Sequence, residues 1–178
     1  MGNEQDGLDE SVACEVAHGH GTTPETDRTL IAAFASPVAD CLLRYANEAG
    51  YRAVLLEPDP AAAARAPRTG YEVTGDAAKY MDAGADVVVT DHHRPELGVV
   101  LRDALASPAR WVGIMGNPRH QGPHTEALTD LGVAEADIAR VHRPIGLNIG
   151  SRTPPEIAIA TLAGLIADRN GRPGGFSF

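Results

Sequence analysis

The chain has 178 residues, is 43% hydrophobic and 4% aromatic, and carries a formal charge of −9. That length suits one domain with a sizeable core of Ala, Val, Leu and Ile, and leaves room for an appendage. There is no basic face of the nucleic-acid type, no bilayer-spanning apolar run and no signal-peptide pattern, so a cytoplasmic protein that binds neither nucleic acid nor membrane is expected.

The charge is concentrated at the start. Residues 1–28 hold seven acids against Arg28, whereas the remaining 17 acids meet 14 bases. Gly, Asp, Glu and Thr dominate this stretch without periodicity, so it reads as a disordered acidic leader before a folded domain over 29–178. Cys14, His18 and His20 are metal-binding residue types, but a tail offers them no preorganised geometry. Cys14 and Cys41 together make neither a disulfide framework nor a zinc spacing.

Beyond the leader, short apolar runs alternate with helical patterns. Thr29–Phe34 is a predicted strand, followed by a helix over Pro37–Ala49 whose buried stripe is Val38, Leu42, Ala46 and Ala49. Arg52–Glu57 is the next strand, and 58–70 a Pro/Ala/Arg-rich connection. A short helix around Ala77–Ala83 precedes the strand Asp86–Thr90, and Pro95–Ala106 is helical. Trp111–Met115 is a further strand, with helices near Pro123–Leu131 and Glu135–Arg140. The closing helix, Pro154–Arg169, is apolar on nearly all sides and is expected to be buried, with Asn170 and Gly171 stopping it. Strands alternating with helices imply an α/β fold, a parallel sheet with helices on both faces. Ligands bind such sheets at the carboxyl ends of the strands, so Ala35–Ser36, Glu57–Pro58, Asp91–His93 and Gly116–His120 should converge.

Four places on that framework could carry chemistry. The first strand–helix turn, Phe34 to Ala39, stands where a dinucleotide fingerprint would lie but keeps only the last small residue, while Glu57 stands where a ribose-binding acid would. DVVVTDHHRPE (86–96) delivers Asp91, His92 and His93 from a strand and resembles the signature of DHH phosphoesterases. With His120, His124 and His142 it suggests a metal hydrolase, yet the first turn has no acid before Asp40 to complete a two-metal set. In WVGIMGNPRHQGPH (111–124), Gly116 frees the backbone, and Asn117 and Arg119 open onto the same edge, Arg119 being suited to a phosphate or carboxylate. Finally, a glycine turn (Gly146–Gly150) carrying Asn148 leads through Arg152 to a capping box, Thr153-Pro154-Pro155-Glu156. With Arg143 nearby, that helix start is an expected seat for an anion. No nucleophile elbow occurs, and Cys41 lies inside a helix rather than at its start.

Taken in order, FASPVA, VVVTDHHRPEL, WVGIMGNPRH and HRPIGLNIGSRTPPEIAIATLAGLIADRNGRPG resemble the C-terminal Rossmann-like domain of XdhC/CoxI-family proteins. These are accessory factors for molybdenum hydroxylases such as xanthine dehydrogenase and carbon monoxide dehydrogenase. The resemblance runs from Thr29 to Gly175. It implies a Rossmann-like fold and a non-catalytic role: binding the molybdenum cofactor (molybdopterin) and assisting its insertion into an apo-enzyme, with a cysteine desulfurase as a further candidate partner and a homodimer compatible with it. The expected cofactor contacts are Ala35, Ser36, Glu57, Asp91, His92, Gly116, Asn117, Arg119, Asn148, Gly150, Arg152 and Thr153, with no catalytic or metal-ligating residue among them. Phe34-Ala35-Ser36 replaces the family's glycine-rich turn, Asn148 replaces the acid of its GLDIG motif, and Gly164 stands where a glutamate is common. The alternatives are an NAD(P)-binding oxidoreductase with Glu57 on the ribose, a DHH-type phosphoesterase, and a domain that binds only a protein partner.

Overall fold

The computed structural model describes residues 15–18, 28–116 and 122–175. In chain order the elements are β1 (Thr29–Ala33), α1 (Pro37–Glu48), β2 (Arg52–Leu56), α2 (Pro60–Arg65), β3 (Glu72–Thr74), a 3-10 turn (Ala78–Tyr80), β4 (Ala85–Val89), α3 (Leu97–Ala106), β5 (Trp111–Ile114), α4 (Pro123–Asp130), α5 (Glu135–Ile138) and α6 (Pro154–Arg169). The strands form one sheet in the order β3-β2-β1-β4-β5, and every pairing is parallel. This is a Rossmann-like arrangement, with β1 central and the chain reversing its direction of progress beside it. After α5 the chain returns to the far edge: His142 N–H donates to Val112 O, Ile114 N–H donates to His142 O, and Gly113 bridges His142 in parallel.

Strand side chains point alternately to the two faces of the sheet, and each face has its own core. Ile31, Ala33, Val54, Leu56, Val87, Val89, Val112 and Ile114 pack under α3 and α4, while Leu30, Ala32, Ala53, Leu55, Val88 and Trp111 pack under α1 and α6. The near-continuous apolar runs of β1 and β4 follow from burial on both sides. α1 starts at Ser36, whose Oγ accepts from Ala39 N–H at 3.0 Å, and it buries Leu42 and Leu43 completely. Each such leucine contributes about 1.5–3 kcal/mol against exposure.

The connection over 58–70 contains a helix. Asp59 caps α2 by accepting from Ala61 N–H at 2.9 Å, and Pro60 takes its first turn. β3, only three residues long, has no periodicity of its own and exists by pairing Thr74 with Leu56. The segment expected as a helix at 77–83 is a single 3-10 turn. α6 keeps its expected bounds but is buried on one face only: Ala158, Thr161, Leu162 and Leu165 are covered, whereas Ile159 is 52% exposed. The helix lies on the outer surface against α1, so solvent reaches its far side despite the apolar sequence. Its orientation is fixed by its end, where Arg169 donates to Asp86 Oδ2 at 2.9 Å and to Gly84 O, at the start of β4. The N-terminus of α6 therefore points toward the carboxyl edge of the sheet. Among the described residues, no helix is long and apolar enough to cross a membrane.

Candidate functional site

The first turn leaves β1 through Phe34, which has φ +75° and a fully buried ring. A glycine would adopt this conformation freely; phenylalanine holds it because the core fixes its side chain. Ala35 N–H then donates to Glu57 Oε2 at 2.7 Å, and Asp59 N–H donates to Glu57 Oε1 at 3.0 Å. Arg94 completes a clasp with bidentate bonds to both Glu57 oxygens at 3.0 and 2.8 Å, its guanidinium 4.8 Å from the Phe34 ring centre. Burial works to raise the Glu57 pKa, but Arg94 and the two N–H donors overcome it and hold the carboxyl below its ordinary range. Glu57 is thus an ionised structural anchor with no exposed side-chain surface. The expectation of a ribose contact at Glu57 is corrected accordingly, because its carboxylate faces Arg94 and the turn rather than the open edge.

Ser36 and Thr90 tie β1 to β4. The Thr90 hydroxyl donates to Ala33 O and Phe34 O, so Ser36 Oγ, 3.0 Å from Thr90 Oγ1, is the donor of that pair. Beyond Thr90, Asp91 Oδ1 accepts from His93 N–H at 2.9 Å and fixes a tight turn. The His92 and His93 rings lie 4.1 Å apart.

Past β4 and β5, the edge brings a guanidinium and two imidazoles near one another. A Cβ on Gly116 would lie 2.6 Å from Arg143 Nε, and one on Gly122 would lie 2.9 Å from Arg143 Nε and 2.3 Å from His124 Nδ1. Two glycines therefore let Arg143 lie flat against backbone, with His124 beside it. His124 is 9% exposed, and its Nδ1 is buried without a hydrogen-bond partner. Burial, then the nearby Arg143 charge, lowers the His124 pKa. Burial likewise lowers that of His92, followed by His93 and Arg143, against an opposing pull from Asp91. The result is a fixed cation next to two imidazoles held neutral, with one ring nitrogen unused. Such a set can receive an oxyanion, which Arg143 would attract and the imidazoles could hydrogen-bond.

The remaining expected contacts divide. Ala35, Ser36, Asp91, His92 and Gly116 lie at the carboxyl ends of β1, β4 and β5, whereas Asn117 and Arg119 lie outside the described residues. Asn148, Gly150, Arg152 and Thr153 are exposed on the approach to α6. The capping box forms, but its own carboxylate fills the place of an anion: Glu156 Oε2 accepts from Arg152 N–H at 2.7 Å and from Thr153 N–H at 3.0 Å. The seat expected at Arg152 and Thr153 is therefore taken from within. Behind it the glycine turn crosses α6 closely. A Cβ on Gly146 would sit 3.1 Å from Ala160 C, and one on Gly164 would sit 3.1 Å from Gly146 Cα. Gly164 is a contact point for the turn, which accounts for the missing glutamate.

His124 was legible only as one histidine among several metal candidates, and Arg143 only as a neighbour of α6. The role of Arg94 left no separate signal, although it follows His92 and His93 directly. Among the described residues, no group of three or more His, Cys, Asp or Glu side chains is placed to hold a metal, so the two-metal hydrolase finds no ligand set there.

The fold defines a Rossmann-like α/β domain whose first turn carries Phe34, Ala35 and Ser36 in place of a glycine-rich phosphate loop. A model of the XdhC Rossmann domain matches residues 30–165, and the chain belongs to the XdhC family, which is linked to molybdoenzymes. YqeB of Escherichia coli (strain K12) is 42% identical over 71 residues, which are 40% of this chain and 13% of YqeB. A solved Bacillus halodurans structure named as a xanthine dehydrogenase shares the fold with a TM-score of 0.62 at 22% identity, over 84% of this chain and 45% of that one. The matches thus take in less than half the length of either protein.

Proposed function

We propose that this domain binds the molybdenum cofactor and serves the maturation of a molybdenum hydroxylase of the xanthine dehydrogenase or carbon monoxide dehydrogenase type, acting in the cytoplasm on the apo-enzyme. Family membership supports the class of client. The observation that carries ligand binding is His124, buried with a ring nitrogen unused, beside Arg143 on the glycine backbone of 116 and 122. A buried polar atom without a partner costs free energy, so a site that keeps one is suited to a ligand that satisfies it.

The residues present fit the phosphate end of a pterin cofactor. Arg143 supplies a permanent charge, and His92 and His124 supply neutral imidazoles that can donate from one nitrogen and accept at the other. Asp91, held by its own turn, stands at the same edge for the polar rim of a pterin. When bound, the cofactor supplies the redox-active metal that a client enzyme uses; the chain's own residues bind and orient it. The reading is accordingly of a binding protein.

Equilibrium binding of molybdopterin to the purified chain tests this. Saturable binding is expected, weakened about tenfold or more by Arg143→Ala, since a hydrogen bond to a charged group is worth about 1.5–3 kcal/mol. His124→Ala should weaken it less. Absence of saturable binding, or binding indifferent to both substitutions, overturns the reading.

A further inference from the structure

Successive parallel strands are joined by a crossover that usually carries a helix, and that helix covers one face of the sheet. The crossover from β3 to β4, residues 75–84, carries only the 3-10 turn Ala78–Tyr80. It runs on the face covered by α3, since Ala77, Tyr80 and Met81 share a core with Leu56 of β2 and with Val100 and Leu101 of α3. Where a crossover helix would lie, a cavity of about 380 Å³ is left between this turn and α3. Its base is apolar: Leu56, Met81 and Val100 are nearly buried there, and Val99, 43% exposed, stands beside them. Its rim is acidic. Asp76, Glu96 and Asp103 line the cavity, and among the described residues no Lys, Arg or His does. Each acid has one oxygen engaged. Asp76 Oδ1 accepts from Ala78 N–H at 2.9 Å, Glu96 Oε2 from Arg94 Nε at 3.3 Å, and Asp103 Oδ1 from Arg102 Nε at 2.9 Å. Arg94 is shared with Glu57, so the rim keeps a net negative charge.

We propose that this groove docks an amphipathic helix of a partner protein, its apolar side chains filling the space over Leu56, Met81 and Val100 and its basic residues meeting Asp76, Glu96 and Asp103. Helices bind grooves of this kind through apolar anchors one turn apart. The rim charges would set orientation and speed of docking more than affinity. Charge also selects the occupant. A second copy of this chain carries a net −9, and residues 1–28 hold seven acids against one arginine, so either would bring like charge to the rim. A basic helix brings the complement. The proposal goes beyond cofactor binding and does not depend on it, because the groove shares no residue with the Arg143–His124 set.

Fluorescence anisotropy on the full chain tests this with a labelled helical peptide of leucine and lysine, its leucines at i, i+3, i+4 and i+7. Saturable binding is expected. It should weaken about tenfold or more when glutamate replaces the lysines, or when the leucines are scattered off one face. Ala78 is exposed on the groove wall. Ala78→Arg, which fills the groove and opposes its charge, should weaken the lysine peptide about tenfold or more. Asp76→Asn combined with Asp103→Asn should weaken it about threefold and flatten its salt dependence. No saturable binding, or equal binding of the glutamate or scattered peptide, overturns the proposal. So does unchanged binding by a folded Ala78→Arg protein, which would place the peptide elsewhere on an acidic chain. If that variant does not fold, unchanged affinity and salt dependence in the double Asp→Asn protein overturn it instead. A dimer of the unmodified chain that Ala78→Arg dissociates in sedimentation gives the groove to a second copy and overturns it as well.

Discussion

Gly116 shows how a single missing methyl group can shape a site. A Cβ there would meet the far end of Arg143, which can swing aside, and no backbone lies closer. Gly116→Ala should therefore cost little stability, about 1 kcal/mol or less by the measure of ordinary surface changes, yet weaken molybdopterin binding several-fold by displacing the guanidinium. A thermal melt alongside a binding isotherm checks both halves. Phe34 is the opposite case. Phe34→Gly relieves the left-handed backbone, worth about 1–3 kcal/mol, but empties a core position whose loss costs about 3–5 kcal/mol. Net destabilisation is expected in denaturant titration, although the substitution restores the fingerprint's glycine. Neither site could be read from its own sequence neighbourhood. From sequence, Gly116 is a residue that frees the backbone at a strand end and Phe34 a replaced glycine, because Arg143 and Arg94 come to them from 27 and 60 residues away.

At the scale of elements, α6 is held at its two ends by different physics. Its start is a local capping box, legible as Thr153–Glu156 because the bonds join residues three apart. Its end is a long-range ion network. Asp86, fully buried in β4, accepts from Arg110 Nε at 2.8 Å and from Arg169 Nε at 2.9 Å, and Arg110 reaches on to Asp168 at 2.6 Å. Asp86→Ala would leave two partly buried arginines without their shared partner, a loss on the order of 3–5 kcal/mol. Calorimetry should show a large drop in transition temperature. Thr153→Ala should cost only about 1 kcal/mol and, under the proposed binding, leave molybdopterin affinity unchanged, since the Glu156 carboxylate already accepts from the N–H groups of Arg152 and Thr153. Unequal visibility is the lesson of α6. The cap, the stop at Asn170 and the helix length follow from spacing, but the exposed Ile159 face depends on which elements cover α6 in space, and among the described residues that face is left open.

For the molecule as a whole, the shifted pKa values set a sign for the effect of acid. His92 and His124 are lowered from their ordinary 6.5, so the unfolded chain takes up protons there first. The stability they contribute is complete above that value and is lost as pH falls through their folded pKa values. Glu57, lowered from 4.5, gives the same sign in a second, more acidic window, where Asp86, raised from 3.8 by burial, works against it. The transition temperature should therefore be flat above neutrality and decline in two stages on acidification. Replacing both histidines should flatten the first stage, and inorganic phosphate, by pairing with the protonated rings, should recover part of it. Composition and periodicity were enough for an α/β chain with a parallel sheet, because burial on both faces writes apolar runs into β1 and β4 and amphipathic spacing into α1. They missed β3 and α2, which are too short for a period, and β3 takes its form from its neighbour. Segment order carried the family. Which residues meet was decided by tertiary structure alone: it turned Glu57 inward to Arg94, filled the α6 seat with Glu156, and set His124 beside Arg143. Side-chain partners and available hydrogen-bond atoms depend on distance in space, and a linear order of residues fixes only the distances within a turn or two of helix or along one strand.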